Sequence, residues 1–284
     1  MKTVKSFQRK LATSILLPVL GFSSLASAAI DNSSLNPTEF REHVATYGLV
    51  YRLPDAVNET LNKSVVPLVD KKLVELKLTE EQKTKNIPHI TVVHIHSADP
   101  STPEKMLEVL PTPPKPLTVT LQDFTITEAA KGAGHPWWVD LGVNKQGKGY
   151  NEMMDYNTVA TAALAPLRDG PLPRVTGPVY ANMSDAGKKL VRNVGVSGVN
   201  VSENGKTLAV HNPHNTLVYS MTRLTPALQA SLDDLAVDLN KAQPEGIKAE
   251  FKDISIVQLG FAGNVFKEIY RIDLANGKVT DMRK

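Results

Sequence analysis

Two short segments of this 284-residue chain share a pattern of residues capable of acid–base chemistry. Pro88-His89-Ile90-Thr91-Val92-Val93 is echoed by Pro213-His214-Asn215-Thr216-Leu217-Val218. Each opens on proline, sets histidine and threonine two residues apart and continues into an apolar tail, as the start of a β-strand does. Residues i and i+2 project from one face of a strand. His89 is therefore expected to point with Thr91, and His214 with Thr216. If the two strands lie side by side, two imidazoles and two hydroxyls converge on one groove. An imidazole titrates near neutrality, so one ring can remove a proton while the other supplies one. The hydroxyls can donate to oxygens on which negative charge builds. That set suits displacement at phosphorus and calls for no metal or other cofactor. The competing structural reading has both histidines beginning buried strands and bonding to backbone, with threonine present for its β-propensity.

Other residues invite chemistry less strongly. His94 and His96 form a His-x-His pair that could ligate a metal. Strand parity places them with Ile90 and Val92, on the face away from His89 and Thr91. Tyr47, Tyr51 and Tyr219 fall near the motifs and are expected to line a cleft. His211 fits a cleft rim or a plain loop, and Arg52 and Arg223 fit solvated surface better than a phosphate site. One ring of Trp137-Trp138 could stack on a base, although core packing suits both.

The elements that must hold these groups alternate between strand and helix. Tyr47 to Leu53 reads as a strand closed by Pro54-Asp55. Val57, Leu61, Val65, Leu68, Leu73 and Leu76 recur near helical spacing, with Pro67 set to split the helix. Thr102-Pro103 reads as an N-cap and first turn, Leu117 to Ile126 and Trp137 to Val143 as strands, and about 155 to 168 as a helix. Asn204-Gly205 between two short β-prone runs predicts a hairpin. Thr225-Pro226 opens an amphipathic helix with Leu228, Leu232, Leu235 and Leu239 on one face. Ile254 to Leu259 and Val265 to Leu274 read as strands joined near Gly263-Asn264. The class is α+β with mostly antiparallel strands. No Gly-rich phosphate loop follows a strand.

The chain has no cysteine, which excludes thiolate catalysis, disulfides and cysteine-ligated zinc. Lys2, Lys5, Arg9 and Lys10 precede an apolar stretch from Leu11 to Leu25 and the small-x-small end Ala26-Ser27-Ala28. Residues 1–28 thus read as a secretory signal peptide cleaved to leave Ala29 first. A periplasmic or secreted protein with no stable membrane anchor after cleavage is expected. Removing those four charges from the formal +3 leaves −1, which argues against a partner of long duplex nucleic acid.

The paired motifs resemble the two-histidine (2H) phosphoesterase superfamily, which includes the bacterial 2'-5' RNA ligase-like proteins and cyclic phosphodiesterases. Tyr47-Gly48-Leu49 with Leu53-Pro54-Asp55 is similar to that family's first strand and its exit into a helix. Phe251 to Leu274 is similar to the strand pair after the second motif. The resemblance covers most of Val44 to Leu274 and is thinnest from about 169 to 209. It implies a single domain over 29–284 with two pseudo-symmetric lobes, each a mostly antiparallel sheet with flanking helices, around a central cleft. It also implies His89 and His214 as the acid/base pair and Thr91 and Thr216 as the phosphate binders. The long stretch between the motifs points to an insertion at about 169–209 that covers or extends the cleft. Asn215 stands where the family has an apolar residue, and it should face away from the cleft. The function implied is an exported, metal-independent phosphoesterase. It would hydrolyse a cyclic (2',3'-cyclic type) or 2'-5' phosphodiester of a nucleotide or RNA end. The alternative is a non-catalytic phosphate- or nucleotide-binding protein on the same scaffold.

Overall fold

The computed structural model describes residues 30–40, 45–79, 87–260 and 265–284, without the side chain of Phe266. The expected signal peptide and the Gly263-Asn264 turn lie outside the described residues. Alternating polar and apolar runs form two antiparallel sheets. In the first, β1 (Thr46–Arg52) lies between β2 (His89–His96) and β9 (Asp253–Leu259), with β10 (Val265–Asp273) and β11 (Val279–Asp281) beyond β9. In the second, β3 (Leu117–Glu128) lies between β4 (Trp137–Val143) and β8 (Ile247–Phe251), with β7 (His214–Ser220) outside β4. A short hairpin, β5 (Val201–Glu203) and β6 (Lys206–Leu208), turns at Asn204-Gly205, both with positive φ as a two-residue turn requires. The fold is α+β and mostly antiparallel. Only Lys252 separates β8 from β9, so the chain changes sheets there and its final quarter completes both.

The helices follow the apolar spacing. The first helical run is split into α1 (Asp55–Ser64) and α2 (Val66–Glu75), with Pro67 in the first turn of α2, where its missing N–H has no bond to lose. α3 (Thr102–Val109) is followed by α4 (Lys148–Leu164), which packs against both β2 and β3 and so lies across the two sheets. α5 (Gly177–Asn182) and α6 (Asp185–Val194) occupy the stretch expected to be an insertion. α7 (Pro226–Ala242) covers β3, and the Thr225 hydroxyl caps it by accepting the Leu228 N–H at 3.2 Å. One continuous core joins Leu49 and Ile95 of the first sheet to Leu121, Leu141 and Phe251 of the second.

Some elements depart from expectation. The N-cap of α3 is Ser101, and the Thr102 hydroxyl instead donates to the Asp99 carbonyl at 2.7 Å and to Ser97 Oγ at 2.8 Å. β8 and β11 were not expected as strands. β8 alternates buried Ile247, Ala249 and Phe251 with exposed Lys248 and Glu250 over only five residues. α4 begins earlier than expected, and Ala165–Leu167 tightens into a 3-10 turn after it.

β2 and β7 are the outer strands of their sheets, and they lie against each other. Their contact is fastened by the Asn215 side chain, whose amide donates to the His89 carbonyl at 3.0 Å. Both strands carry a bulge at the same place. Thr91 pairs with Val50 but Val93 pairs with Leu49, which leaves Val92 as an extra residue. Thr216 pairs with Asp140 but Val218 pairs with Val139, which leaves Leu217 extra. A bulge reverses the side-chain alternation beyond it. A second link runs through α4. Buried Asn157 donates to the Val92 carbonyl and accepts the Asn200 N–H at 2.7 Å, and Asn200 in turn accepts the His211 N–H at 2.9 Å. Replacing Asn157 by Ala leaves a buried carbonyl and a buried N–H unpaired, so unfolding in urea should show a loss of about 2 kcal/mol or more.

Candidate active site

Both motif histidines are set by the same local bond. His89 Nδ1 lies 2.8 Å from the Ile87 carbonyl and His214 Nδ1 lies 2.7 Å from the Asn212 carbonyl, in each case two residues back. A carbonyl only accepts, so each Nδ1 carries hydrogen, and each neutral ring keeps its lone pair on Nε2. His89, Thr91, His214 and Thr216 line one cleft of about 270 Å³. Asn215 is buried at the seam between the strands, which accounts for a polar residue there.

The stretch from 169 to 209 builds one wall of this cleft, through Arg174, Val175 and Val196 to Val199, with Val210 and His211 continuing it. Arg174 was missed in the sequence, and no pattern around it marks it out. It is the middle residue of a 3-10 turn, Pro173–Val175, and its Nη2 is 2.8 Å from His94 Nδ1. Arg168 grips the same histidine from its other end, donating from Nε to the His94 carbonyl at 2.8 Å. Arg174 forms no ion pair within 4.0 Å among the described residues. Desolvation lowers its pKa, while Tyr219 and Asp140 support its charge.

His94 corrects the parity argument. The Val92 bulge turns it onto the face of His89 and Thr91, and it lines the cleft. Its Nδ1 is taken by the Arg174 guanidinium, and no cluster of three or more metal-ligating side chains occurs among the described residues. His96 instead faces Asp169, with Nδ1 at 3.7 Å from its carboxylate. The bulge at Leu217 likewise puts Tyr219 on the side of His214 and Thr216, the position equivalent to His94. Tyr219 nonetheless lies behind Trp138, whose ring stacks on Tyr219 at 6.1 Å and on His214 at 6.2 Å. The three tyrosines expected to line the cleft are not among its lining residues. Tyr51 packs on Phe251 in the core at 5.4 Å, and Tyr47 is buried in β1. Trp137 is in the core, with Nε1 donating to the Thr222 carbonyl at 2.7 Å, whereas Trp138 reaches the cleft. Arg52 sits opposite His89 in the β1–β2 ladder, but it pairs with Glu268 at 3.5 Å and is not among the residues lining the cleft.

Charge in the cleft is unevenly distributed. Burial pulls His89 down to about 4 against the opposing bond to Ile87, and the His214 and Arg174 charges pull it the same way. Burial drives His94 well below the ordinary histidine value, helped by Arg174. Burial and the His214 charge also lower His211, to about 4, although its bond to the Gly198 carbonyl opposes them. Asp140, on β4, is raised to about 6 by desolvation, with the His214 charge acting the other way. Its Oδ1 lies 3.5 Å from His214 Nε2 and 3.5 Å from Thr216 Oγ1. The cleft therefore pairs a neutral imidazole beside a cation with a second imidazole beside a buried carboxyl.

No family model matches the chain, and no curated protein matches it. Among solved structures, Usb1 of Kluyveromyces marxianus is similar over 82% of this chain and 99% of its own, with 13% identity and a TM-score of 0.38. Its uridine monophosphate complex gives 12% identity over 81% of this chain and 99% of its own, with a TM-score of 0.37. TT0787 of Thermus thermophilus is similar over 82% of this chain and all of its own, at 14% identity and a TM-score of 0.41.

The buried rings make stability depend on acid. His89 and His94 are neutral in the fold, so their contribution is full above the ordinary value of 6.5 and is lost as pH falls below it. Each ring would cost about 1.4 kcal/mol per pH unit over the window between its unfolded and folded values. Asp140 acts in the opposite sense, because its raised carboxyl takes up a proton first in the folded chain. His94→Gln should therefore make the free energy of urea unfolding less steep in pH below 6.5. An unchanged slope would count against a neutral, buried His94.

Proposed function

We propose that this protein is an exported phosphoesterase of the 2H superfamily that hydrolyses a cyclic (2',3'-cyclic type) or 2'-5' phosphodiester of a nucleotide or RNA end. The observation that carries this reading is the matched pair of imidazoles. Each is locked through Nδ1 to the carbonyl two residues back, and each lines the same cleft as a threonine two residues on. In this reading one imidazole takes a proton from the attacking water and the other supplies one to the departing ester oxygen. Thr91 and Thr216 donate to the non-bridging oxygens. Arg174 balances the phosphate's charge from the wall of the 169–209 stretch.

The cleft's size suits a small substrate. A volume of about 270 Å³ is close to the lower end of ligand clefts, which run from roughly 300 to 1,000 Å³. It accommodates one phosphoester unit with its sugar rather than a duplex. Proton transfer by two imidazoles requires no metal, so the rate should survive chelation. Export rests on the basic, apolar and small-residue parts of residues 1–28. Sequencing the N-terminus of material recovered outside the cytoplasm should give Ala29, and a Met1 start would overturn export while leaving the catalytic reading intact.

Purified residues 29–284 should turn over at least one member of a panel of nucleoside 2',3'-cyclic phosphates and 2'-5' dinucleotides. His89→Ala or His214→Ala should each lower the rate by about 100-fold or more, and the double variant should lose far less than the product. Thr91→Val and Thr216→Val keep shape and remove a donor, so each should cost roughly 10-fold. Arg174→Met should lower kcat/KM on the same substrate. Binding across the panel without turnover would favour the non-catalytic alternative.

A further inference from the structure

The proposed reaction uses two histidines symmetrically, but their surroundings are not symmetric. Asp140 is 1% exposed, on β4. Its Oδ1 faces His214 Nε2 at 3.5 Å, and its Oδ2 is buried without a hydrogen-bond partner. Thr127 of β3, Trp138 of β4 and Thr216 of β7 direct their donor groups toward the carboxylate. Arg174 faces it from the opposite wall, and Tyr219 lies near that guanidinium. The other titratable rings at the cleft are His89 and His94 of β2 and His211 before β7. His89 has no carboxylate within 4.0 Å among the described residues, and the only bond to its ring is the Ile87 carbonyl at Nδ1.

A carboxylate buried this deeply costs free energy unless it is compensated. The His214 ring is the group placed to supply the opposite charge, with Nε2 facing Asp140 Oδ1. At 3.5 Å the contact is longer than the 2.7–2.9 Å of a charge-assisted hydrogen bond, so the Nε2 hydrogen stays available to a substrate. Arg174 and His214 both oppose a proton on His89. From this geometry we infer that Asp140 is a positioning residue that makes His214 the general acid and leaves His89 as the general base.

The proton accounting closes under this assignment. His89 Nε2 removes a proton from water as that oxygen bonds to phosphorus. The bond from phosphorus to the departing oxygen breaks, and that oxygen takes the Nε2 proton of His214. His89 ends protonated and His214 neutral, and exchange with solvent restores both. Asp140 remains ionised throughout.

The catalytic part of this inference rests on the phosphoesterase reading, but the assignment of protons can be tested without any substrate. In the full, isotope-labelled protein, ring resonances of the histidines are followed against pH before and after Asp140→Asn. At neutral pH the ring-nitrogen resonances of His214 should move toward those of a neutral imidazole in Asp140→Asn, while the midpoint of His89 stays near 4. Unmoved His214 ring nitrogens would overturn the proposal. If the Asn variant does not fold, the carboxyl carbon of Asp140 decides. Its midpoint, about 6, should rise in His214→Gln, and an unchanged value would overturn the proposal equally. Where a substrate is turned over, Asp140→Asn should move only the alkaline limb of the rate profile, to lower pH. A uniform loss at every pH would mark Asp140 as merely structural. Absence of turnover in the unmutated protein would sink the phosphoesterase reading alone and leave the ring titrations to judge this one.

Discussion

The amide of Asn215, donating to the carbonyl of His89 at 3.0 Å, is the contact on which the site depends. β2 and β7 are edge strands of different sheets, and they are not paired to each other in a backbone ladder. Unpaired edges are a liability in most sheets. Here two of them are brought together, and a side chain does what the ladder cannot. Because the bond is made to the backbone of the first histidine by the residue next to the second, it sets the spacing of the two imidazoles directly. An apolar residue at this position could fill the space but could not specify the register.

The bulges have a similar role on each strand. Without them, His94 and Tyr219 would face away from the cleft, and Arg174 would have no ring nitrogen to hold. Asn157 bonds to the carbonyl of the first extra residue, Val92, and so ties the irregularity to α4 and, through Asn200, to the loop before the second motif. Arg168 and Arg174 then clamp His94 from both ends. A histidine that reads as a possible metal ligand on the face away from the cleft is, in the fold, the base on which the cleft's cation rests.

Much of the architecture was legible because it is local. Pro67 splitting a helix, Asn204-Gly205 turning a hairpin and Thr225 capping α7 are each decided within a few residues. The convergence of His89, Thr91, His214 and Thr216 was legible from two strand starts with equal spacing. What was hidden depends on pairing across strands. Strict alternation misplaced His94 because the extra residue at Val92 shows only in its register against β1. Arg174 lies in a segment of short helices and turns with no periodicity, and only its fold-back onto β2 gives it a place. Asp140 sits in a strand that reads as apolar, and its importance comes from the strand beside it.

The single residue Lys252 between β8 and β9 bears on how the cleft comes into being. β1 is made before the other described strands, yet one of its two neighbours, β9, lies far beyond it in the chain. β3 likewise waits for β8. Each sheet is thus closed by strands contributed from the far end of the chain, and such non-local pairing is slow because loop entropy is lost before the contacts form. The strands that carry the two histidines therefore belong to sheets that are complete only once the segments on either side of Lys252 have joined both.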